Sequence, residues 1–181
     1  MVNKVNLRNE SLTPNDRIIV DTNVLLYVHN IQRTQGFHAR IYTDIWGDLL
    51  SSDVELLVTS EIINEYFNKS LKDSFRSWQV ETNSTDAEFK RGYRTSTNTH
   101  YLESYQNIVE TIKQDILTVC TLIDTPGTLI KEAMDNLHPA QLDITDELTV
   151  KNAVNNRYAI LTADADFFKL DLSRLKIYTY Q

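Results

Sequence analysis

Cysteine is nearly absent from this sequence. Cys120 is the only one among 181 residues, which excludes an intrachain disulfide and any cysteine-based zinc site. It lies in the apolar stretch ILTVCTLI and reads as a buried structural thiol. Four glycines and three prolines leave little material for flexible linkers or low-complexity tracts. No apolar run approaches the roughly 18 residues that a membrane span requires. The opening MVNKVNLRNESLTPNDR has no apolar core of the kind secretory signals carry, so the expected location is the reducing cytoplasm, with no membrane partner. Basic residues are also outnumbered: 18 Lys and Arg against 25 Asp and Glu give a net charge of −7. That is unlike a general nucleic-acid binder, but it leaves room for an enzyme whose acids hold divalent cations.

With 41% hydrophobic residues, the chain has the makings of one domain with a full core. Residues 1–16 are polar, end in the turn-like Thr13-Pro14-Asn15-Asp16, and read as a flexible N-terminal arm. Residues 17–181 read as a single domain. RIIVD (17–21) is a buried strand, and Thr22-Asn23 caps a helix continued by Val24, Leu25, Tyr27 and Val28. A helix over 36–50, a strand over 55–58 and a helix over 61–71 follow. Periodicity then fails over about 72–99, which reads as a helical or loop insertion. Helices are expected over 101–122, 128–137 and 146–156, and strands over 159–162 and 176–180. Short apolar strands separated by helices predict an α/β/α sandwich with a mainly parallel central sheet of about four to five strands.

In such sheets ligands bind beyond the carboxyl ends of the strands. Asp21 ends the first strand and Asp164 follows AILT. Glu65 lies two turns into the helix after the second strand. Asp146 opens the helix leading into AILT, and reaches the same edge if that helix runs antiparallel to the strand. Two unit charges about 4 Å apart repel by roughly 4 kcal/mol at an effective dielectric of about 20, so four gathered carboxylates call for a cation. An all-oxygen donor set favours Mg²⁺ or Mn²⁺, whereas zinc would want nitrogen or sulfur. His29, His38, His100 and His138 are scattered and lack metal-type spacing. Hard cations on carboxylates activate water and stabilise in-line phosphoryl displacement, which makes a phosphodiester the natural substrate.

Each acid has a plainer reading beside this one. Asp21 and Asp146 can serve as helix caps, Asp164 and Asp166 as turn residues, and Glu61 as a first-turn acid stabilised by the helix dipole. Glu65 lies too deep in its helix to cap it. Asp143 stands one turn before Asp146 and competes with it for the third position. Lys69, Lys72, Lys90, Arg91 and Arg94, with Trp78, Phe89 and Tyr93 interleaved, are candidates for gripping RNA phosphates and stacking bases; the plainer reading is a solvated surface excursion.

Three blocks taken in order resemble the PIN-domain nucleases, the family that includes VapC-like toxins: IIVDTNVLL (18–26), VTSEIINEY (58–66) and DELTVKNAVNNRYAILTADADF (146–167). The resemblance implies a PIN-like fold and metal-dependent cleavage of single-stranded RNA. It implies Asp21, Glu65, Asp146 and Asp164 as metal ligands around Mg²⁺ or Mn²⁺, with Asn23, Thr162 and Asp166 as supporting polar residues. It differs from the family in Leu-Thr-Val-Lys-Asn-Ala after Glu147, where small residues are usual, and in the extra length at 72–99. The expected partners are an RNA substrate, an antitoxin protein if the chain is a toxin, and a second copy of the chain if it dimerises. Competing readings are a catalytically weak or inactive PIN-like module that binds RNA or protein, and a haloacid-dehalogenase-type phosphatase. The phosphatase would want an aspartate where Asn23 stands.

Overall fold

The computed structural model describes residues 3–33, 35–85, 87–136, 142–170 and 174–180. Leu137 and His138 lie outside them. Six parallel strands form one sheet in the order β1-β6-β5-β2-β3-β4. The strands are β1 (Asn3–Asn6), β2 (Arg17–Val20), β3 (Glu55–Thr59), β4 (Cys120–Ile123), β5 (Ala159–Leu161) and β6 (Lys176–Thr179). Helices α1 (Thr22–His29), α2 (Phe37–Leu50), α3 (Ser60–Thr82), α4 (Thr99–Thr111), α5 (Gly127–Asn136) and α6 (Ile144–Asn156) flank it. This is the expected α/β sandwich.

Central β2 explains the continuous apolar run in the sequence. Ile18, Ile19 and Val20 are all fully buried, as happens when helices cover both faces of a parallel sheet. The register pairs Ile19 with Leu57 on one side and Ile160 on the other. From β2 the chain winds outward through β3 to β4 and then crosses back to β5, on the other side of β2. The carboxyl end of β2 is therefore a topological switch point, where such sheets open a crevice.

The structure departs from the sequence reading in three places. Asn3–Asn6, read as part of a loose arm, forms β1 and pairs with β6, so the sheet has six strands rather than four or five. Its NKVN carries little local strand signal because its hydrogen-bond partners lie at the other end of the chain. The helix expected over 101–122 is instead α4, a π-helical turn over Ile112–Ile116, and strand β4. Val119-Cys120-Thr121 favours a strand locally, and the free edge of β3 supplies the pairing. Finally, α3 continues to Thr82 rather than stopping near Leu71. Its later turns pack Phe75 and Trp78 against Phe89 and Tyr93. That packing is invisible to a pattern that asks for an apolar face against the sheet.

Candidate active site

The site grows from the end of β2. Val20 is the strand's last residue, and Asp21 turns the chain into α1, occupying the position before the helix's first residue. Its side chain makes no capping hydrogen bond, so the plainer reading of Asp21 as a cap does not describe it. Instead Asp21 Oδ2 accepts from Thr162 Oγ1 at 2.7 Å, and Asp21 N–H donates to Leu161 O at 2.9 Å. Thr162 is fully buried. Its hydroxyl oxygen also accepts from Asp164 N–H at 2.9 Å, and its carbonyl accepts from Tyr42 OH at 3.1 Å. One threonine thus ties the carboxyl end of β2 to the turn after β5, bringing Asp21 and Asp164 to a common edge.

Glu65 enters from α3. Its Oε2 accepts from Thr22 Oγ1 at 2.7 Å and its Oε1 pairs with Lys69 Nζ at 2.6 Å. Asp146 enters from the first turn of α6. Asp143 is the N-cap of that helix, its Oδ1 accepting from Asp146 N–H at 3.0 Å. That division of labour separates the two candidates for the third position: Asp143 is exposed and spends an oxygen on capping, while Asp146 is half-buried.

Electrostatics ties the acids together. Burial, opposed by the Thr162 hydrogen bond and reinforced by the charges of Glu65 and Asp164, pushes the Asp21 carboxyl up to about 6. Burial followed by the fields of Asp21, Asp143, Glu65 and Asp164 pushes Asp146 up to about 8. Asp21 and Asp146 therefore both lie within electrostatic reach of Glu65 and Asp164, whose charges disfavour the ionised forms of these two groups. Burial works against the ammonium of Lys69. Its hydrogen bond to Glu65 and the charges of Glu65, Asp21 and Asp146 nevertheless hold its pKa above the ordinary lysine value.

The supporting residues divide. Thr162 is the hinge just described. Asp166 points outward, with its Oδ1 accepting from Lys169 Nζ and its N–H donating to Asp164 Oδ1 at 2.9 Å. Asn23 sits half-buried in the first turn of α1. Thr22 and Lys69 contact the acids although sequence reasoning gave them other roles, a cap and an RNA contact. The signals were available: Thr22 follows Asp21 directly, and Lys69 lies four residues after Glu65, on the same helix face.

The remaining basic candidates lie elsewhere. Lys72, Lys90, Arg91 and Arg94 are exposed, and Arg91 faces Glu88 at 3.7 Å. The aromatics interleaved with them are turned to one another. Tyr93 is fully buried, with ring centroids 5.2 Å from Phe75, 5.3 Å from Trp78 and 5.9 Å from Phe89. The rings form a small core of their own, which explains why a region without helical periodicity is ordered. A cleft of about 770 Å³ also lies apart from the acids, with His29, Tyr66, Ser70, His100 and Asp115 in its lining.

The donor set suits a hard divalent cation: carboxylates whose mutual repulsion such an ion would relieve. Among the described residues, no three acidic, histidine or cysteine side chains stand close enough to hold a metal ion as placed. The chemistry of the donors fits the ion, while the cage is not closed.

No family model matches the chain, and no curated protein does. Solved structures do. VapBC2 from Rickettsia felis, crystallised with a DNA fragment from its promoter, superposes with a TM-score of 0.54 at 13% identity, covering 91% of this chain and 99% of that one. Mycobacterium tuberculosis VapC20, a toxin that cleaves the Sarcin-Ricin loop, gives a TM-score of 0.54 at 10% identity, covering 87% and 98%. At these identities the likeness is one of fold.

Proposed function

From the VapC-like PIN fold of this chain, we propose that it is a metal-dependent endoribonuclease acting on single-stranded RNA, with Asp21, Glu65, Asp146 and Asp164 as its metal-binding acids. The observation that carries this reading is Asp21. It occupies a capping position without capping and turns instead to Thr162 and toward the charges of three other predicted acids. A fold with no use for those charges would not keep them half-desolvated and mutually repelling.

The chain's own residues have distinct tasks in this scheme. Asp21 and Glu65 each have one oxygen fixed by a hydroxyl, of Thr162 and Thr22 in turn, so their carboxylates have little freedom to lose on binding. Asp164 is oriented through its backbone by the same Thr162. Asp146 rides on the N-terminal turn of α6, where the helix dipole offsets part of the burial and like charge that disfavour its ionised form. A bound Mg²⁺ or Mn²⁺ supplies activation of water and charge stabilisation at the phosphodiester. We further read the chain as the toxin of a toxin–antitoxin pair, in keeping with the toxin and the VapBC assembly among its structural neighbours.

The test is cleavage of a mixed single-stranded RNA pool in Mn²⁺. Asp164→Asn keeps size and capping ability and removes the charge, so cleavage should fall by about a hundredfold or more, several kcal/mol of lost stabilisation, with the fold retained. Glu61→Gln is the control. Glu61 bonds to Ser60 and Thr125 hydroxyls, and an amide oxygen keeps those bonds, so cleavage should stay near wild type. Undiminished cleavage by Asp164→Asn would place the catalytic centre elsewhere. Wild type that binds the pool without cleaving it would favour an inactive RNA-binding module, a reading that the open carboxylate cage supports. For the toxin reading, expression of the wild type should arrest growth of the host cell and expression of Asp164→Asn should not.

A further inference from the structure

Glu65 has both oxygens engaged. Oε2 holds Thr22 Oγ1 at 2.7 Å and Oε1 holds Lys69 Nζ at 2.6 Å. Asp21 has one oxygen engaged by Thr162, and Asp164 has one engaged by the Asp166 amide. An ion drawing Glu65 into a ligand shell with Asp21, Asp146 and Asp164 meets a neutral hydroxyl at Oε2, which can share that oxygen, and a like-charged ammonium at Oε1, which repels it. Thr22 is buried at the start of α1, with 1% of its surface exposed, and cannot step aside. Lys69 sits on a flexible four-carbon stem with 39% of its side chain exposed, and has solvent to move into. Its charge also acts on Asp21, and it is itself held by the charges of Asp21 and Asp146.

We propose that Lys69 is the resident counter-ion of the acidic centre: it holds Glu65 through an i,i+4 pair when no metal is bound, and it gives up Glu65 Oε1 when a divalent cation binds. This rests on the reading of the four acids as a metal centre. It accounts for two observations together, a carboxylate set with the right chemistry and a cage that is not closed. The ammonium lowers the cost of assembling the acids in the free protein, and it competes with the metal for one of them.

A second lysine gives the matched comparison. Lys169 pairs with Asp166 and feels the charge of Asp164, so it too places a cation near the centre, but on an acid turned away from it. The experiment is a Mn²⁺ titration of the full chain read by melting temperature, since a ligand that binds only the folded state stabilises it by mass action. Lys69→Met should lower the Mn²⁺ midpoint by about tenfold, because removing the competitor leaves Oε1 free. Lys69→Arg keeps the charge and the pair, and should leave the midpoint at or above wild type. Lys169→Met should shift it by less than about twofold, as a screened surface charge does.

A Lys69→Met midpoint equal to wild type, with wild type clearly stabilised by Mn²⁺, would overturn the counter-ion role and leave the metal centre standing. An equal shift in Lys69→Met and Lys169→Met would also overturn it, reducing Lys69 to general field. If neither wild type nor Lys69→Met responds to Mn²⁺ or Mg²⁺, while both remain folded, the metal centre itself fails and this role fails with it.

Discussion

On the N-terminal half of α3, Glu65 and Lys69 face Thr22, Asp21 and Asp146; further along the same helix, Phe75 and Trp78 face Phe89 and Tyr93. The aromatic half gains from folding directly, since its rings leave water and meet at offset and tilted angles that suit their quadrupoles. Tyr93 also keeps its hydroxyl satisfied by His100 Nδ1 at 3.0 Å. The acidic half is assembled against its own electrostatics, with two carboxyls driven well above their ordinary range. One helix therefore carries a segment that stabilises the protein and a segment that the protein must stabilise. Such internal conflict concentrates at functional sites.

The comparison breaks most sharply at Tyr93. Tyr93→Ala empties the middle of the aromatic cluster and should cost about 3–5 kcal/mol, as large aromatic truncations in cores do. Urea unfolding of wild type and variant measures it. A loss below about 1 kcal/mol would show that the cluster collapses around the gap and that its packing contributes little.

The acidic half should respond with the opposite sign. Asp21 and Asp146 keep their protons to about 6 and about 8 in the folded chain, against an ordinary 3.8. The folded state then binds more protons than the unfolded one between about 4 and about 8, and these groups make stability fall as pH rises through that window. His29 acts the other way: burial lowers its pKa against the pull of Asp115, so its contribution is lost as pH falls. The informative quantity is therefore a difference. In EDTA, the melting temperature of Asp146→Asn should exceed that of wild type by a margin that widens from about pH 5 to about pH 8. A margin independent of pH would mean that Asp146 is not strained in the metal-free protein.

The smallest effect distinguishes two neighbouring acids. Asp143→Ala removes the N-cap of α6 and should cost about 1 kcal/mol, while RNA cleavage by the folded variant stays within about threefold of wild type. Asp146→Asn in the same assay should abolish cleavage. The reverse outcome would exchange their roles.

Much of the architecture was legible in the residues. RIIVD, ELLVT and AILT each announce a buried strand followed by a polar residue, and the acids beyond those strands fall on one edge because parallel strands share a carboxyl end. The unreadable parts share a feature: their deciding partner is remote in sequence. Asn3–Asn6 becomes a strand because β6 offers its edge, and Cys120–Ile123 leaves a helical pattern because β3 does. Phe75 and Trp78 extend α3 because Phe89 and Tyr93 return to meet them.

The same division runs through the site. Position along the elements and the resemblance of three ordered blocks selected Asp21, Glu65, Asp146 and Asp164, since a local pattern records which residues stand just past a strand or early in the helix beside it. Whether Asp143 or Asp146 caps the helix, whether Asp21 caps α1 at all, and whether Lys69 faces RNA or the acids were decided only by the tertiary structure. Those questions turn on distances of a few ångströms between elements, over which hydrogen bonds and charge interactions rise and vanish, and sequence spacing carries no such distances.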